Sequence, residues 1–444
     1  MQNKRLSRHR HNERGQTILL VAVSIVSLLA MAALAIDIVS LYVDRSEIQR
    51  AADAAALAAA KGIADSGFTT LPTTDTNYST AQTLAQTMAV KAVNSIVTTP
   101  PVNLVGGQLP VLVGSPTFDF TTHPGSYQVT VSLKSASLPT FFSKVWARST
   151  AFVTASATAE AYNPSNLTTI TPIAPKSVKP WLVANVNPLD GVPFVNTATT
   201  NWIVDSSVIG QTIDLVSACN NTSPTRCHPA NPPHTVGATQ VQYVPAVVNT
   251  ANTQNVCPAC AGTTDYEQSI ECADVASSYQ VLNCGGGTTQ IQWDDGINPG
   301  PLGNNATSLG GQCLIHASNE GAGQGQDLFA NPGSWPTAPF QFKAQSGPQS
   351  GNLVTTSNSI VTIPILDVNT FLPAGGGSIT VDGFLQAFIN QVDGPPAGLG
   401  QPPEGSINIT VLNIAGCSSV NNNANPVVGG GGSSPVPVRL ITPP

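Results

Sequence analysis

The chain has 444 residues, of which 9% are charged, against about 25% in typical soluble domains. Lys and Glu are too few for long helices with salt-bridged faces, whereas 38 Gly and 36 Pro favour short strands joined by turns. The net charge of -7 argues against nucleic acid as a partner, because phosphate binding needs clustered cations.

The cations are concentrated at the start of the chain. Residues 1–14 contain five Lys or Arg and one acid, and the rest of the chain is acidic. Residues 17–36 follow without a charge, and as a helix they are about as long as the hydrocarbon core of a bilayer is thick. A basic flank keeps its end of a span in the cytoplasm. We therefore predict a basic cytoplasmic tail over 1–16 and a transmembrane helix over 17–43.

The predicted membrane anchor is made of residues on this span. They are Thr17, Ile18, Leu19, Leu20, Leu28, Leu29 and Ile36. The small residues Ala33 and Ala35 also suit a signal-peptidase site, so release after Ala35 is an alternative. A signal peptide usually has an apolar core of only about 7–15 residues. The longer span, and the apolar residues that resume beyond Asp37, favour an uncleaved anchor. Asp37 lies near the outer edge, where a carboxylate can reach headgroup water.

Beyond the span, the pattern predicts that the same helix continues into water. Charged residues from Asp44 to Asp53 form a solvated face. A narrow seam of apolar residues recurs at helical spacing: Ile48, Ala52, Ala55 and Ala59. Small side chains let another element approach closely. We expect the seam to pack on the chain's own sheet, with another subunit as the alternative.

An exported α+β region is predicted over 44–162. A second helix begins at about Thr80, and alternating residues predict paired strands over 127–133 and 152–161. Between them, residues 139–146 have the pattern of a short helix with Pro139 in its first turn. The predicted fold class is α+β, in which a transmembrane helix continues into an exported helix packed on a small antiparallel sheet.

The composition changes after residue 162. Residues 163–180 are a Pro- and Thr-rich linker. Residues 181–417 contain short apolar runs separated by Gly, Pro and Asn, which is typical of an irregular, mostly β domain. Residues 418–444 are predicted to be a flexible Gly/Pro-rich tail, in which 436–441 have the pattern of a terminal edge strand.

All eight cysteines follow residue 218. They are Cys219, Cys227, Cys257, Cys260, Cys272, Cys284, Cys313 and Cys417. An even number in an exported chain favours disulfides, which would stabilise a Gly-rich region with a thin core. The spacing of Cys257 and Cys260 also occurs in thiol oxidoreductases and zinc sites, but neither a helix signal nor a second such pair accompanies it. Spacing leaves the connectivity open.

No catalytic motif survives inspection of the sequence. Nucleophile-elbow, zinc-protease and phosphate-loop motifs are absent from it. In the segment that starts at Asp205, Ile209 replaces a hydroxyl that a metal-dependent adhesion site requires. We therefore predict a protein that is not an enzyme and has no cofactor, no metal site and no small-molecule substrate. A periplasmic enzyme with an unrecognised site is the weakest alternative.

The order of motifs at the start of the chain resembles a known family. The motifs are Arg14-Gly15-Gln16, Ile36-Asp37-Ile38, Leu41-Tyr42 and the Ala-rich run over 48–58. Together they resemble the N-terminal region of TadE/TadG-like Flp pilus-assembly proteins. Residues 139–145 and 155–159 are similar to the exported head of that family.

The resemblance implies a bacterial inner-membrane protein with a cytoplasmic N-terminus and a periplasmic or extracellular body. It implies a non-enzymatic role in assembly or display of Flp-type (tight-adherence) pili. The implied partners are the lipid bilayer and other pilus-assembly or pilin subunits. Two alternatives stay open: a secreted or surface adhesin-like β-protein released after Ala35, and a processed minor pseudopilin. For the pseudopilin, Gly15 suits prepilin cleavage, but Leu20 stands where a Glu is expected.

Overall fold

The computed structural model describes most of the chain. The described residues are 13–102, 104, 108–135, 138–139, 150–165, 171–198, 202–219, 227, 229, 233–247, 260, 262, 264–272, 282–284, 289–297, 306–316, 324–331, 333–369, 371–392, 406–417, 428–429 and 434–441. The chain divides into two compact units. The first comprises Met1–Ala56, Val93–Pro116 and Thr130–Ala157, and the second comprises Leu57–Ala92, Thr117–Val129 and Thr158–Pro444.

The α-helices in the described residues are α1 (Glu13–Ala64), α2 (Tyr78–Thr98), α3 (Asp265–Glu271) and α4 (Ala306–Leu314). The first of them is one continuous helix of 52 residues. Neither Pro nor Gly falls between Gln16 and Lys61, so no residue interrupts its backbone hydrogen bonds. The chain turns away at Gly67, whose φ of 78° is left-handed and favours glycine. The long helix predicted from the sequence is confirmed.

The strands in the described residues are β1 (Pro110–Leu112), β2 (Thr117–Asp119), β3 (Ser126–Ser135), β4 (Leu138–Pro139), β5 (Thr150–Ala151), β6 (Thr154–Tyr162), β7 (Ile173–Ala174), β8 (Trp181–Ala184), β9 (Val195–Asn196), β10 (Ile203–Val204), β11 (Thr212–Ser217), β12 (Gln240–Val247), β13 (Thr289–Trp293), β14 (Asp327–Phe329), β15 (Phe342–Ala344), β16 (Leu353–Val354), β17 (Ile360–Leu366), β18 (Gly377–Val392), β19 (Ile407–Gly416), β20 (Val428–Gly429) and β21 (Val438–Ile441).

Five strands form a sheet in the order β1-β3-β6-β21, with β2 also paired to β3. The predicted pairing of the two long strands, β3 and β6, is confirmed. The short helix predicted over 139–146 differs, because Pro139 lies in β4 and pairs with Thr150 of β5. That pairing requires an extended backbone, which the fixed φ of proline also permits. The rest of that predicted helix, residues 140–146, lies outside the described residues.

The strand β21 adds to the edge of this sheet, antiparallel to β6. It is fixed there by Glu160, which is 4% exposed. The Glu160 carboxylate accepts a hydrogen bond from Arg439 Nε at 2.5 Å and another from the hydroxyl of Ser126. The edge strand predicted over 436–441 is therefore present, inside the segment that was predicted to be a flexible tail.

A seven-stranded sheet lies in the second unit. Six of its strands pair in a closed ring in the order β11-β19-β18-β17-β8-β12, with β12 returning to β11, while β13 pairs with both β12 and β18. The β11–β12 and β8–β17 pairs are parallel. Pairing around a ring leaves fewer open edges for other chains to join. Apolar side chains such as Trp181, Phe384 and Phe388 are fully buried on this sheet.

The predicted disulfides are confirmed, and they cross this β-rich region. They join Cys219 to Cys227, Cys260 to Cys313, and Cys284 to Cys417. Cys272 is also disulfide-bonded, whereas Cys257 lies outside the described residues. Because Cys260 bonds to Cys313, it does not form the two-residue loop that a thiol oxidoreductase requires.

Candidate anchoring helix and polar junction

Residues 17–32 at the start of α1 expose their side chains, most of them apolar, around the whole circumference of the helix. Ile18 is 71% exposed, Leu28 63% and Leu29 64%. The other predicted anchor residues are exposed as well: Thr17, Leu19, Leu20 and Ile36. Leaving each large apolar side chain in water costs about 1.5–3 kcal/mol relative to burial. Among the described residues, α1 is the helix that is long and apolar enough to cross a membrane.

From Ala33 to Asp44, one stripe of α1 is buried although most residues around it are exposed. The stripe passes through Ala33, Asp37 and Asp44 and continues along the predicted seam. Its members are separated by three, four or seven residues, so they share one face of the helix. The seam residues are each 0% exposed: Ile48, Ala52, Ala55 and Ala59. Because one chain alone gives this burial, the chain itself covers the seam.

Two expectations for acidic residues of α1 were wrong. Asp44 was expected on the solvated face but is 1% exposed, and Asp37 was expected near headgroup water but is 5% exposed. The reason is the helical period. Asp37 precedes Asp44 by seven residues, and Asp44 precedes Ile48 by four, so both carboxylates lie on the buried stripe.

Polar contacts hold α1 to the sheet within the first unit. Gln49 donates from Nε2 to Asp53 Oδ1 at 2.7 Å and to the carbonyl oxygen of Ser156 in β6 at 3.1 Å. On the outer face, Arg50 and Glu47 form an ion pair at 3.0 Å, which adds little stability because it is exposed.

A buried polar junction follows α1 in the second unit. Its centre is Asn413 in β19, which is 0% exposed. The Asn413 amide nitrogen donates to the carbonyl oxygen of Ala64 at 2.9 Å and to Gln386 Oε1 at 2.7 Å. Its amide oxygen accepts from the hydroxyls of Thr69 and Thr70 at 3.4 and 3.3 Å. Ala64 ends α1, so Asn413 pairs a carbonyl that lacks a partner within the helix.

Other buried groups extend this junction. Thr70 Oγ1 accepts from the backbone nitrogen of Ile414 at 3.1 Å, and Asn163 donates to the Ile414 carbonyl oxygen at 3.0 Å. Trp335 Nε1 donates to the carbonyl oxygen of Ser66 at 2.7 Å. At Gly67, an added Cβ would lie 3.1 Å from the Trp335 ring nitrogen. The close approach therefore requires glycine as much as the left-handed backbone does.

An aromatic cluster packs on the same turn. Phe68 is fully buried, and its ring centroid lies 5.1 Å from that of Tyr78 and 5.2 Å from those of Phe120 and Tyr127. Burial raises the pKa of Tyr127, so its hydroxyl stays protonated and donates to the Thr69 carbonyl oxygen at 3.3 Å. Packed rings add about 0.5–1.5 kcal/mol per pair. The turn after α1 is thus fixed by apolar and polar contacts together.

Comparison with known proteins supplies a family for the long helix. A family model, Tad, described as "Putative Flp pilus-assembly TadE/G-like", matches residues 15–62. These residues are similar to that family, and we call them the TadE/G-like segment. The match confirms the resemblance found in the sequence and supports a role in Flp pilus assembly. No curated protein and no solved structure matches the chain.

The TadE/G-like segment holds the span and the whole seam but ends before the polar junction. Sequence reasoning missed the junction, although Asn413 carried a signal. It is a polar residue inside the apolar run of β19, where a buried amide needs hydrogen-bond partners. Its partners include groups of Ala64, Thr69 and Thr70, which lie more than three hundred residues earlier in the chain.

Outside the TadE/G-like segment, two buried carboxylic acids have raised pKa values. Burial, and then repulsion by Asp367, raise the pKa of Asp382 to about 7, against a donated hydrogen bond from Asn185. Burial also raises the pKa of Glu271 to about 7, although the backbone N–H of Gly262 donates to it. The hydrogen-bond donors of these acids are structural groups: the side-chain amide of Asn185 for Asp382 and the backbone N–H of Gly262 for Glu271.

The described residues also show how the motifs considered for metal binding are used. Asp205 caps a short 3₁₀ turn by accepting from the backbone nitrogen of Ser207, and it accepts from Asn187 Nδ2 at 2.8 Å. Within the described part of the chain, no three His, Cys, Asp or Glu residues are arranged to hold a metal.

Proposed function

We propose that the protein is a single-pass, non-enzymatic membrane protein that supports the assembly or display of Flp-type pili. Its N-terminus lies in the cytoplasm, α1 crosses the inner membrane, and the β-rich body lies outside. The family match over residues 15–62 supports the pilus role. The basic residues before the span support the orientation, because clustered Lys and Arg stay on the cytoplasmic side.

The observation that carries the proposal is the continuity of α1. One helix of 52 residues begins with exposed apolar side chains and ends at buried hydrogen bonds. At about 1.5 Å per residue, the part from Val43 to Ala64 extends about 30 Å beyond the predicted span. A bare anchor needs no ordered extension of this kind. We propose that it is a rigid spacer, held against the sheet by the small-residue seam, that presents the body to pilus subunits.

The buried stripe supports a permanent anchor over release after Ala35. The stripe starts at Ala33 and continues through Asp37. Cleavage between them would divide one buried face of a continuous helix and leave its first turn frayed. A processed pseudopilin would keep this helix but lacks the Glu expected at Leu20. The permanent anchor is therefore the favoured arrangement.

The test is to determine the native N-terminus and the membrane association of the full chain. Mass spectrometry should find the N-terminal basic segment intact, and alkaline carbonate should leave the protein in the membrane pellet. A mature chain beginning at Ile36 would contradict the anchor and support a secreted protein, and one beginning at Gln16 would support a pseudopilin. Reporter fusions before Arg14 and after Ile441 should show opposite sides of the membrane.

A matched pair of variants separates anchoring from folding. Leu28→Arg with Leu29→Arg places two charges near the centre of the span, where each costs about 2.5–3.5 kcal/mol, and should release the protein from the pellet and abolish pili. Thr17→Arg, at the edge of the span, should leave both unchanged. If the double variant still restores pili to a deletion strain, the span is not what the pilus role requires.

A further inference from the structure

Exposed apolar side chains gather at one end of the five-stranded sheet, in the part of it that belongs to the first unit. Phe152, next to β6, is 72% exposed, Leu109, next to β1, is 53% exposed, and Val111 in β1 is 41% exposed. Grouped apolar surface of this kind marks a contact with a partner or a membrane.

The strand register brings these residues to the same end of the sheet. Pro110 of β1 pairs with Ser135 of β3, and the Ser135 backbone nitrogen donates to the Val153 carbonyl oxygen at 3.0 Å. Leu109 and Phe152 therefore flank one end of adjacent strands. Lys134 is exposed and pairs with Val111, so these two side chains lie on one face.

The direction of β6 relative to α1 shows whether the end of the sheet with Leu109 and Phe152 lies toward the apolar span or away from it. Gln49 of α1 contacts Ser156 near the start of β6. Farther along both elements, Asn163, just after β6, donates to Thr69, just after α1, at 3.4 Å. The helix and the strand therefore run in the same direction. The start of β6, with Phe152, lies toward the apolar span of α1.

The positions of these residues along the bilayer normal follow from the rise per residue of the helix and of the strand. Gln49 is six residues beyond Val43, the end of the predicted span, or about 9 Å at 1.5 Å per residue. Phe152 precedes Ser156 by four residues, or about 13 Å of strand. Phe152 and Leu109 thus lie about 4 Å to the lipid side of Val43, within a headgroup layer about 5–7 Å thick. The backbone N–H of Val113 donates to the carbonyl oxygen of Ser132, whose hydroxyl bonds to that of Ser156, so Val113 is level with Ser156 and lies outside that layer.

We propose that this end of the sheet, formed by Leu109, Val111, Lys134 and Phe152, lies in the headgroup layer of the bilayer that α1 crosses. The inference rests on the proposed anchor. Apolar side chains beside a cation are the composition of membrane-interface surfaces, where the amine contacts lipid phosphate. The surface continues from the apolar span, which favours lipid over a protein partner. A second attachment point would stop the body from tilting about α1.

The experiment measures depth in the full chain, reconstituted in vesicles of equal parts phosphatidylethanolamine and phosphatidylglycerol. Single-cysteine additions Phe152→Cys, Leu109→Cys, Val113→Cys and Leu28→Cys are labelled with a nitroxide without reductant, which preserves the native disulfides. Electron paramagnetic resonance then compares the accessibility of each label to oxygen, which partitions into lipid, and to a water-soluble nickel chelate. Val113 is the matched control, because it lies on the same edge of the sheet but farther from the span.

The labels at 152 and 109 should show an oxygen-to-nickel accessibility ratio several-fold above that at 113 and below that at 28. Equal ratios at 152 and 113, with position 28 still lipid-exposed, would overturn the proposal and leave the anchor intact. Water access at position 28 would refute the anchor as well. Spin–spin broadening at 152 that grows with the protein-to-lipid ratio would show a second copy on this surface, and so would also overturn the proposal.

Discussion

The replacement Asn413→Ala tests whether the polar junction after α1 fixes the helix to the β-rich body. The substitution removes the donor to Ala64 at 2.9 Å and to Gln386 at 2.7 Å. Thr70 keeps its bond with Ile414. Most of the lost stability therefore comes from two buried acceptors that lose their donor, the carbonyl oxygen of Ala64 and Oε1 of Gln386. An unpaired buried group costs about 1–3 kcal/mol, so two of them give an expected loss of roughly 2–6 kcal/mol in the free energy of unfolding.

The assay is urea unfolding of the full chain in detergent, followed by hydrogen exchange of the backbone amides around the junction. The amides of Thr70 and Ile414 should lose protection in Asn413→Ala more than amides elsewhere, because the junction opens locally. Asn352→Ala is the control, since Asn352 is exposed and should stay within about 0.5 kcal/mol of wild type. An equally small change for Asn413→Ala would refute the idea that this amide holds the helix end.

Two further predictions concern the β-rich region. Breaking the Cys284–Cys417 bond by serine substitution opens a loop of 133 residues and should cost about 5 kcal/mol in chain entropy. Breaking the Cys219–Cys227 bond opens a loop of 8 residues and should cost about 2.5 kcal/mol. Equal shifts in the unfolding midpoint of the two variants would contradict the loop-length argument. Because burial raises the pKa of Asp382 from 3.8 to about 7, the folded chain holds an extra proton between these pH values. Stability should therefore fall as pH rises through that window, by up to about 4 kcal/mol, and Asp382→Asn should flatten this slope in a series of melts at different pH.

Local patterns were enough to predict the helix and the fold class. In lipid, a single uncharged run without Pro or Gly forms a helix. The same absence of helix-breaking residues lets α1 continue through the Ala-rich seam. Alternation predicted β3 and β6 because their period depends only on neighbouring residues. The burial of Asp44 was missed because the position was assigned by charge, while the helical period placed it on the face of Ile48.

Contacts between distant parts of the chain account for what could not be predicted. The ring closes only when β8 pairs with β17 and β11 pairs with β19, strands more than a hundred and fifty residues apart. None of these pairings leaves a local pattern. The partner of Cys284 lies 133 residues away, and spacing alone gives no reason to choose it. Pro139 fits the first turn of a helix and an edge strand equally well, and only its pairing with Thr150 decides between them.

In the proposed topology, in which the body is exported, the pairing of β21 with β6 has a consequence for the timing of export. Arg439 reaches a carboxylate that precedes it by 279 residues. A chain threaded through the membrane from its N-terminal side must therefore hold β6 ready, with that edge of its sheet unfilled, until the late segment emerges. The sheet nearest the anchor is then completed after the ring strands β8 to β19 have left the membrane. The sheet can be completed only after β21 has crossed the membrane. A chain that stalls earlier therefore keeps an unpaired edge on β6, which proteases can recognise.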